Sequence, residues 1–200
     1  MKKQSMWSLR LSTAALVLIP VAVGVNYIGK LIAAFLKLPL WLDSIGTVLA
    51  AMLGGPIVGA LAGAINNIIY GFTDPISFIY AITSVAIGLA VGILFFKGYI
   101  SSWLKAVVAG LIIGLVATVV STPLNISLWA GQTGNVWGDA FYAFVLAKTD
   151  SIWLASLLDE LVVDVPDKLL VVLISFGIFK GLPRNVVQLY NNNEKIETLD

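Results

Sequence analysis

The chain has 200 residues, 59% of them hydrophobic and 12% charged, with a formal net charge of +1. Soluble domains carry charge on roughly a quarter of their residues, so a mean hydropathy of +0.96 marks a polytopic membrane protein. A near-zero net charge without an extended basic patch gives no reason to expect nucleic acid, and the absence of Cys and His removes disulfides, thiolate metal sites and the commonest general base.

Roughly 20 apolar residues cross a bilayer as a helix, and six helices account for the sequence. Lys2, Lys3 and Arg10 precede an apolar run over 11–29 that is interrupted by Pro20. A secretory signal has a core of only about 7–15 residues, so the run reads as a retained first span. The first helix is predicted over 8–29, with a short amphipathic piece to Leu38; the second, short, over 43–53; the third over 56–72. The fourth follows over 77–96 and the fifth over 103–128. The sixth ends near Lys180, with Pro166 kinking it or opening its last segment. The expected fold is an all-α membrane protein, a compact six-helix bundle forming a single domain over 1–182, with a loose polar tail over 183–200.

Cytoplasmic loops retain Lys and Arg. With the N-terminus inside, eight basic residues fall on the cytoplasmic side and four on the outer side, which supports cytoplasmic termini at both ends. Eight acidic residues share the outer side with those four bases, leaving that half at −4.

Small residues recur every fourth position: Ala51, Gly55, Gly59 and Gly63 on the second and third helices, Ser84, Gly88 and Gly92 on the fourth, Ala106, Gly110, Gly114 and Thr118 on the fifth. Small side chains let backbones approach, so van der Waals contact holds a bundle where lipid supplies no hydrophobic drive. Spacing alone leaves open whether each ladder meets a neighbour in this chain or in a partner subunit.

A polar side chain in hydrocarbon is costly unless it faces protein or a wet cavity, so the few present are the site candidates. Asp43 opens the second helix, where it either caps free amides or meets a ligand. Asn67 continues the glycine register as a packing residue, whereas Asn66, roughly 100° round the helix, is available to a ligand. Asp74 before Pro75 is a turn residue; Tyr70 and Tyr80 flank it as interfacial anchors or as an aromatic wall. The stretch 129–148 holds Trp129, Trp137 and Tyr142 among glycines and reads as a lid over a planar ligand or as interfacial aromatics. The densest polar segment is DELVVDVPDK at 159–168, in which Glu160, Asp164 and Lys168 are spaced i, i+4, i+8 and Asp167 shares their face. It is either an acidic helix start, with Lys168 neutralising Asp164, or a polar site in a broken helix, because Pro166 leaves the Val162 carbonyl unpaired.

Three segments carry a resemblance: PLWLDSIGT at 39–47, LGGPIVGALAGAINNIIYG at 53–71, and Pro166, Asp167 and Lys168. They resemble the substrate-binding S components of energy-coupling factor (ECF) importers, over nearly the whole chain to about Leu182. The resemblance implies a six-helix bundle with a short second helix and an outward-facing site built from later helices and outer loops. It also implies a bundle that topples in the membrane to release cargo, and partners in a membrane coupling subunit and two cytoplasmic ATPases. The missing Walker-type phosphate loop fits that division of labour. Many S components dock through Ala-xxx-Ala on the first helix. Here Ala14 and Ala15 are followed four positions on by Leu18 and Ile19, which leaves Ala22 or Gly24 for docking.

The expected function is capture of a small water-soluble vitamin or precursor from outside by a multi-pass protein of the prokaryotic plasma membrane, with no cofactor, metal or catalytic residue. The expected substrate-binding residues are Asp43, Asn66, Tyr70, Trp129, Glu160, Asp164 and Lys168. An acidic outer half favours a neutral or positively charged ligand; pyridoxine or a pyrimidine-type thiamin precursor comes first, then riboflavin or an amino acid. One rival is an intramembrane hydrolase or transferase with Mg²⁺ or Ca²⁺ held by Asp159, Glu160, Asp164 and Asp167. The other is a ligand-free sensor or assembly subunit whose acidic cluster only caps a helix.

Overall fold

Apolar runs and glycine breaks set the helix boundaries in the computed structural model, which describes residues 13–191. The chain forms α1 (Thr13–Leu36), α2 (Ile45–Gly54), α3 (Pro56–Gly71), a short 3₁₀ helix (Pro75–Phe78), α4 (Ala81–Phe96), α5 (Trp103–Trp129), α6 (Val136–Thr149), α7 (Ile152–Gly181) and α8 (Arg184–Asn191). No strand occurs among the described residues. Lys2, Lys3, Arg10 and the predicted helix start at Ser8 lie outside them.

The largest differences from the sequence reading are at α1, α6 and α8. α1 continues through Lys30 to Leu36 instead of breaking at 29. α7 is one helix of 30 residues with Pro166 inside it, as in the first of the two readings of that proline. The stretch read as a Gly-aromatic lid is largely α6, started by the Asn135 side chain, which accepts the Trp137 N–H at 3.0 Å. The first part of the stretch expected to be loose after Pro183 forms α8, which lays Val187 and Tyr190 against the α1–α2–α3 core; residues 192–200 lie outside the described residues.

The small-residue ladders face neighbours within the chain. A methyl group added at Gly63 would strike the Ser84 backbone, at Gly88 the Gly59 and Ala60 backbone, and at Gly92 the Pro56 backbone. The α3 and α4 ladders therefore interlock antiparallel. On α5, a methyl group added at Gly110 or Gly114 would come within 2.8 Å of the Cα atom of Leu169 or Val165 of α7. α2 and α3 are joined through Gly55 alone, at φ +90°, a conformation that favours glycine. It folds α2 back so that Ala51 meets Gly59.

The start of α2 is held from another helix. Asn26 of α1, fully buried, accepts the N–H groups of Gly46 at 2.7 Å and Thr47 at 3.3 Å, and donates to the Thr47 hydroxyl at 2.9 Å. Helix starts leave several N–H groups without intrahelical partners, and here a side chain some twenty residues upstream meets two of them. Asp43, read as either a cap for this helix or a ligand contact, lies before it and faces Lys168, 3.8 Å away. Ala22 is 2% exposed beneath Gly46, whereas Gly24 is exposed with nothing near it; of the two docking positions considered, only Gly24 stands open.

Apolar and polar layers are separated along the helix axes. Val48, Met52, Val91, Ile113 and Val171 form the core shared by α2, α4, α5 and α7. Above it Ser121 and Asn125 on α5, and Glu160, Asp164 and Lys168 on α7, are buried and polar. The outward faces of α1 and α5 carry exposed Val17, Val21, Phe35, Leu104 and Val119, and both helices are long and apolar enough to cross a membrane.

Candidate functional site

The buried polar layer encloses a cavity of about 230 Å³. α7 supplies Glu160, Asp164 and Lys168 along one wall, in the i, i+4, i+8 register that brings them to one face. The α1–α2 loop contributes Trp41 and Asp43; α4 with the turn before it contributes Tyr80, Thr83, Ser84 and Ile87. Asn67 of α3, Ser121 of α5, and Thr133 and Gly134 of the α5–α6 loop complete it. Lys30, Asp74, Ile76 and Ser77 form the remaining side.

Both cavity lysines already have partners. Lys168 Nζ lies 2.5 Å from Asp167 Oδ2 and 3.8 Å from Asp43 Oδ1. Lys30 Nζ lies 4.0 Å from Asp74, donates to the Ser77 hydroxyl at 3.3 Å and sits 3.7 Å above the Tyr70 ring. Asp167 turns its other oxygen to the α1–α2 loop, accepting the Trp41 and Leu42 N–H groups at 3.0 and 2.8 Å.

Glu160 and Asp164 are differently placed. They are 3% and 4% exposed, their carboxyl groups meet side by side, and neither forms an ion pair among the described residues. The Asn125 amide donates to Glu160 Oε1, and the Tyr80 hydroxyl donates to the Asn125 carbonyl oxygen. Asp164 Oδ2 is buried without a hydrogen-bond partner among the described residues.

Of the seven expected binding residues, Asp43, Glu160, Asp164 and Lys168 line the cavity; Asn66, Tyr70 and Trp129 do not. Asn66 shares the buried face of α3 with Ala62, four residues before it, away from the wall that Asn67 supplies. Tyr70 packs its ring on Tyr27, centroids 4.9 Å apart, and under Lys30. The Trp129 indole N–H is buried without a partner among the described residues. Asn67, read as packing, does both jobs: its amide donates to the Gly63 carbonyl at 3.2 Å and to Ser84 at 2.5 Å while it borders the cavity.

The aromatic lid is also corrected. Trp137 donates from Nε1 to the Lys37 carbonyl at 3.1 Å and Tyr142 donates to the Ala130 carbonyl at 2.6 Å. Both serve the scaffold, and the loop's contribution to the cavity is Thr133 and Gly134. Sequence reasoning missed Asn125. The signal available was a polar stripe, Thr118, Ser121, Thr122 and Asn125, on one face of an otherwise apolar span.

The four carboxylates of the metal-enzyme reading do not converge. Asp167 points to the α1–α2 loop, and Asp159 accepts from Thr133 Oγ1 at 3.4 Å outside the cavity lining. No group of three or more Asp or Glu with metal-holding geometry occurs among the described residues.

An all-helical bundle with an apolar exterior and a polar hollow enclosed by α7, α4 and two loops defines a membrane protein of the small-molecule-binding class. The family model described as ECF transporter, substrate-specific component, matches residues 14–190, and the chain belongs to that family. It is a membrane-embedded S subunit of an ECF transporter, a substrate-binding component and not an enzyme. No curated protein and no solved structure matches the chain.

Proposed function

We propose that this S subunit captures a small, water-soluble, single-ring vitamin or vitamin precursor from the outer side of the plasma membrane. Delivery inward follows reorientation with a membrane coupling subunit and two cytoplasmic ATPases. In this reading residues 1–182 form one transmembrane domain of six spans with both termini cytoplasmic, and 183–200 form a polar tail whose first part, α8, braces the inner ends of α1 and α2.

The observation that carries the reading is the convergence of Asp43, Glu160, Asp164 and Lys168 on one cavity between helices. A ligand-free structural cluster needs no hollow, whereas a binding subunit does. Size narrows the cargo: pockets for drug-sized ligands span about 300–1,000 Å³, and 230 Å³ suits one ring better than the three fused rings of riboflavin. Trp41, Tyr80 and Ile87 offer apolar surface to a ring, while Ser84, Ser121 and Thr83 offer hydroxyls at its edge. A pyridine such as pyridoxine or a pyrimidine precursor of thiamin fits this lining.

Mass spectrometry of the small molecule that co-purifies with the detergent-solubilised subunit tests the reading, together with uptake by the reconstituted complex. A single-ring compound that is retained by the wild type, lost from Glu160→Gln and no longer transported by that variant is the expected result. Unchanged uptake in Glu160→Gln and Asp164→Asn would overturn the reading of this cavity as the cargo site.

A further inference from the structure

We propose that the Glu160–Asp164 pair is the counter-ion for a protonated nitrogen on the cargo, so that the transported compound is a small cation without a carboxylate or phosphate. This rests on the binding role above and assigns the charge class of its ligand.

Charge accounting inside the cavity carries the inference. Lys168 lies against Asp167 at 2.5 Å, with Asp43 at 3.8 Å, so its charge is already met by two carboxylates. Lys30 is occupied by Asp74, Ser77 and the Tyr70 ring. On the opposite account stand two carboxyl groups one helical turn apart, both lining the cavity and lacking an ion pair among the described residues. The Asn125 amide meets one oxygen of Glu160, and Asp164 Oδ2 stays buried and unpartnered.

Like charges at i, i+4 repel, and a buried acceptor without a donor loses its hydration uncompensated. A ligand N–H⁺ placed between the two groups relieves both defects at once. A carboxylate or phosphate in the same place adds a further negative charge and leaves Asp164 Oδ2 unmet. The single-ring volume, with Trp41 and Tyr80 in the same lining, places the charge on a short amine attached to the ring.

Two measurements on the detergent-purified, ligand-free subunit decide it. Thermal unfolding comes first: a site built for a cation keeps two carboxyl groups buried against each other when empty, so Glu160→Gln and Asp164→Asn should each raise the midpoint, by about 2–4 °C. Unchanged or lowered midpoints in both variants overturn the inference, because the pair is then a satisfied structural unit. The second is quenching of tryptophan fluorescence, reported by Trp41, with pyridoxamine, pyridoxine and 4-pyridoxate, three compounds of one ring size that carry an amine, a hydroxyl and a carboxylate. The expected order is pyridoxamine over pyridoxine by about tenfold or more, with 4-pyridoxate weakest and the amine's advantage lost in Asp164→Asn. Binding of 4-pyridoxate as tight as that of pyridoxamine overturns the inference. Raised midpoints with no quenching by any of the three uphold the charge assignment and remove the pyridine ring from the reading above, which separates the two failures.

Discussion

The carboxylate of Asp167 accepts the backbone N–H of Leu42 at 2.8 Å across 125 positions of sequence. It accepts the Trp41 N–H at 3.0 Å with the same oxygen and gives the other oxygen to Lys168. One fully buried side chain thereby fixes the α1–α2 loop to α7 and holds Trp41 at the cavity. Leu42 sits at φ +53°, a left-handed conformation that such residues adopt only when their surroundings impose it. Asp167→Ala removes the anion from beside a buried lysine and releases the loop. Breaking a buried pair by deleting one partner costs about 3–5 kcal/mol, so a large drop in unfolding midpoint is expected, with new protease cleavage between Lys37 and Ser44. Asp167→Asn keeps an acceptor for the loop and should lose less. A midpoint unchanged in Asp167→Ala would dismiss the staple.

The cap on α2 yields a contrast between two side chains. Asn26 satisfies the Gly46 and Thr47 amides from α1, whereas Ser44, the residue at the N-cap position, makes no side-chain cap bond. Loss of a cap costs about 0.5–2 kcal/mol, and here the amides left behind are buried, which favours the upper end. Asn26→Ala should lower the unfolding midpoint by several degrees and Ser44→Ala should leave it nearly unchanged. Equal effects would mean that the cap is not carried by Asn26.

How far the sequence revealed this arrangement depended on whether the signal was local. The α7 cluster was legible because i, i+4, i+8 spacing alone puts Glu160, Asp164 and Lys168 on one face. The glycine ladders were legible as contact ridges, though their pairing of Gly63 with Ser84 and Gly88 with Gly59 needed the fold. Asp43 was legible only as a choice between cap and ligand contact, because Asn26, the residue that meets the α2 amides instead, lies twenty positions before Gly46 and carries no local sign of that role. α6 was hidden because Trp129, Gly131, Gly134 and Trp137 look like a lid, while its helix start depends on the Asn135 side chain. Asn66 and Asn67 share a depth but not a direction, and the register that marked Asn67 for packing also brought it to the cavity.

The interlocked ladders make a prediction that separates two glycines by their surroundings. A side chain at Gly88 meets the backbone of Gly59 and Ala60, which cannot swing aside, whereas Gly24 has nothing within 4 Å. Overpacking a well-filled core costs about 1–3 kcal/mol, and contact with backbone places Gly88→Leu at or above that range. The expected outcome is poor recovery of folded protein or a strongly lowered midpoint for Gly88→Leu. Gly24→Ala, which gains helix propensity of up to about 1 kcal/mol, should be neutral or stabilising. Comparable losses in both would place the α3–α4 contact elsewhere.

Asn125 ties the chemistry of the cavity to its frame. It is fully buried, donates to Glu160 and accepts from Tyr80, so it orients the Glu160 carboxyl without itself lining the cavity. Under the binding reading its removal should act on affinity through Glu160: a hydrogen bond to a charged group is worth about 1.5–3 kcal/mol, or roughly tenfold to a hundredfold in Kd. Asn125→Leu fills the space but offers no donor, and it should weaken retention of the co-purifying ligand by that factor. Tyr80→Phe cuts the chain one step further from Glu160 and should weaken it less. A purely structural asparagine gives a different pattern, in which the unfolding midpoint falls and the Kd of the protein that remains folded is unchanged. Measuring Kd and midpoint on the same preparations, with Asn125→Asp as a variant that keeps the shape but replaces the donor with a further carboxylate, distinguishes the two. Asn125→Asp should bind worse than Asn125→Leu, since it adds repulsion next to Glu160 where the leucine adds none.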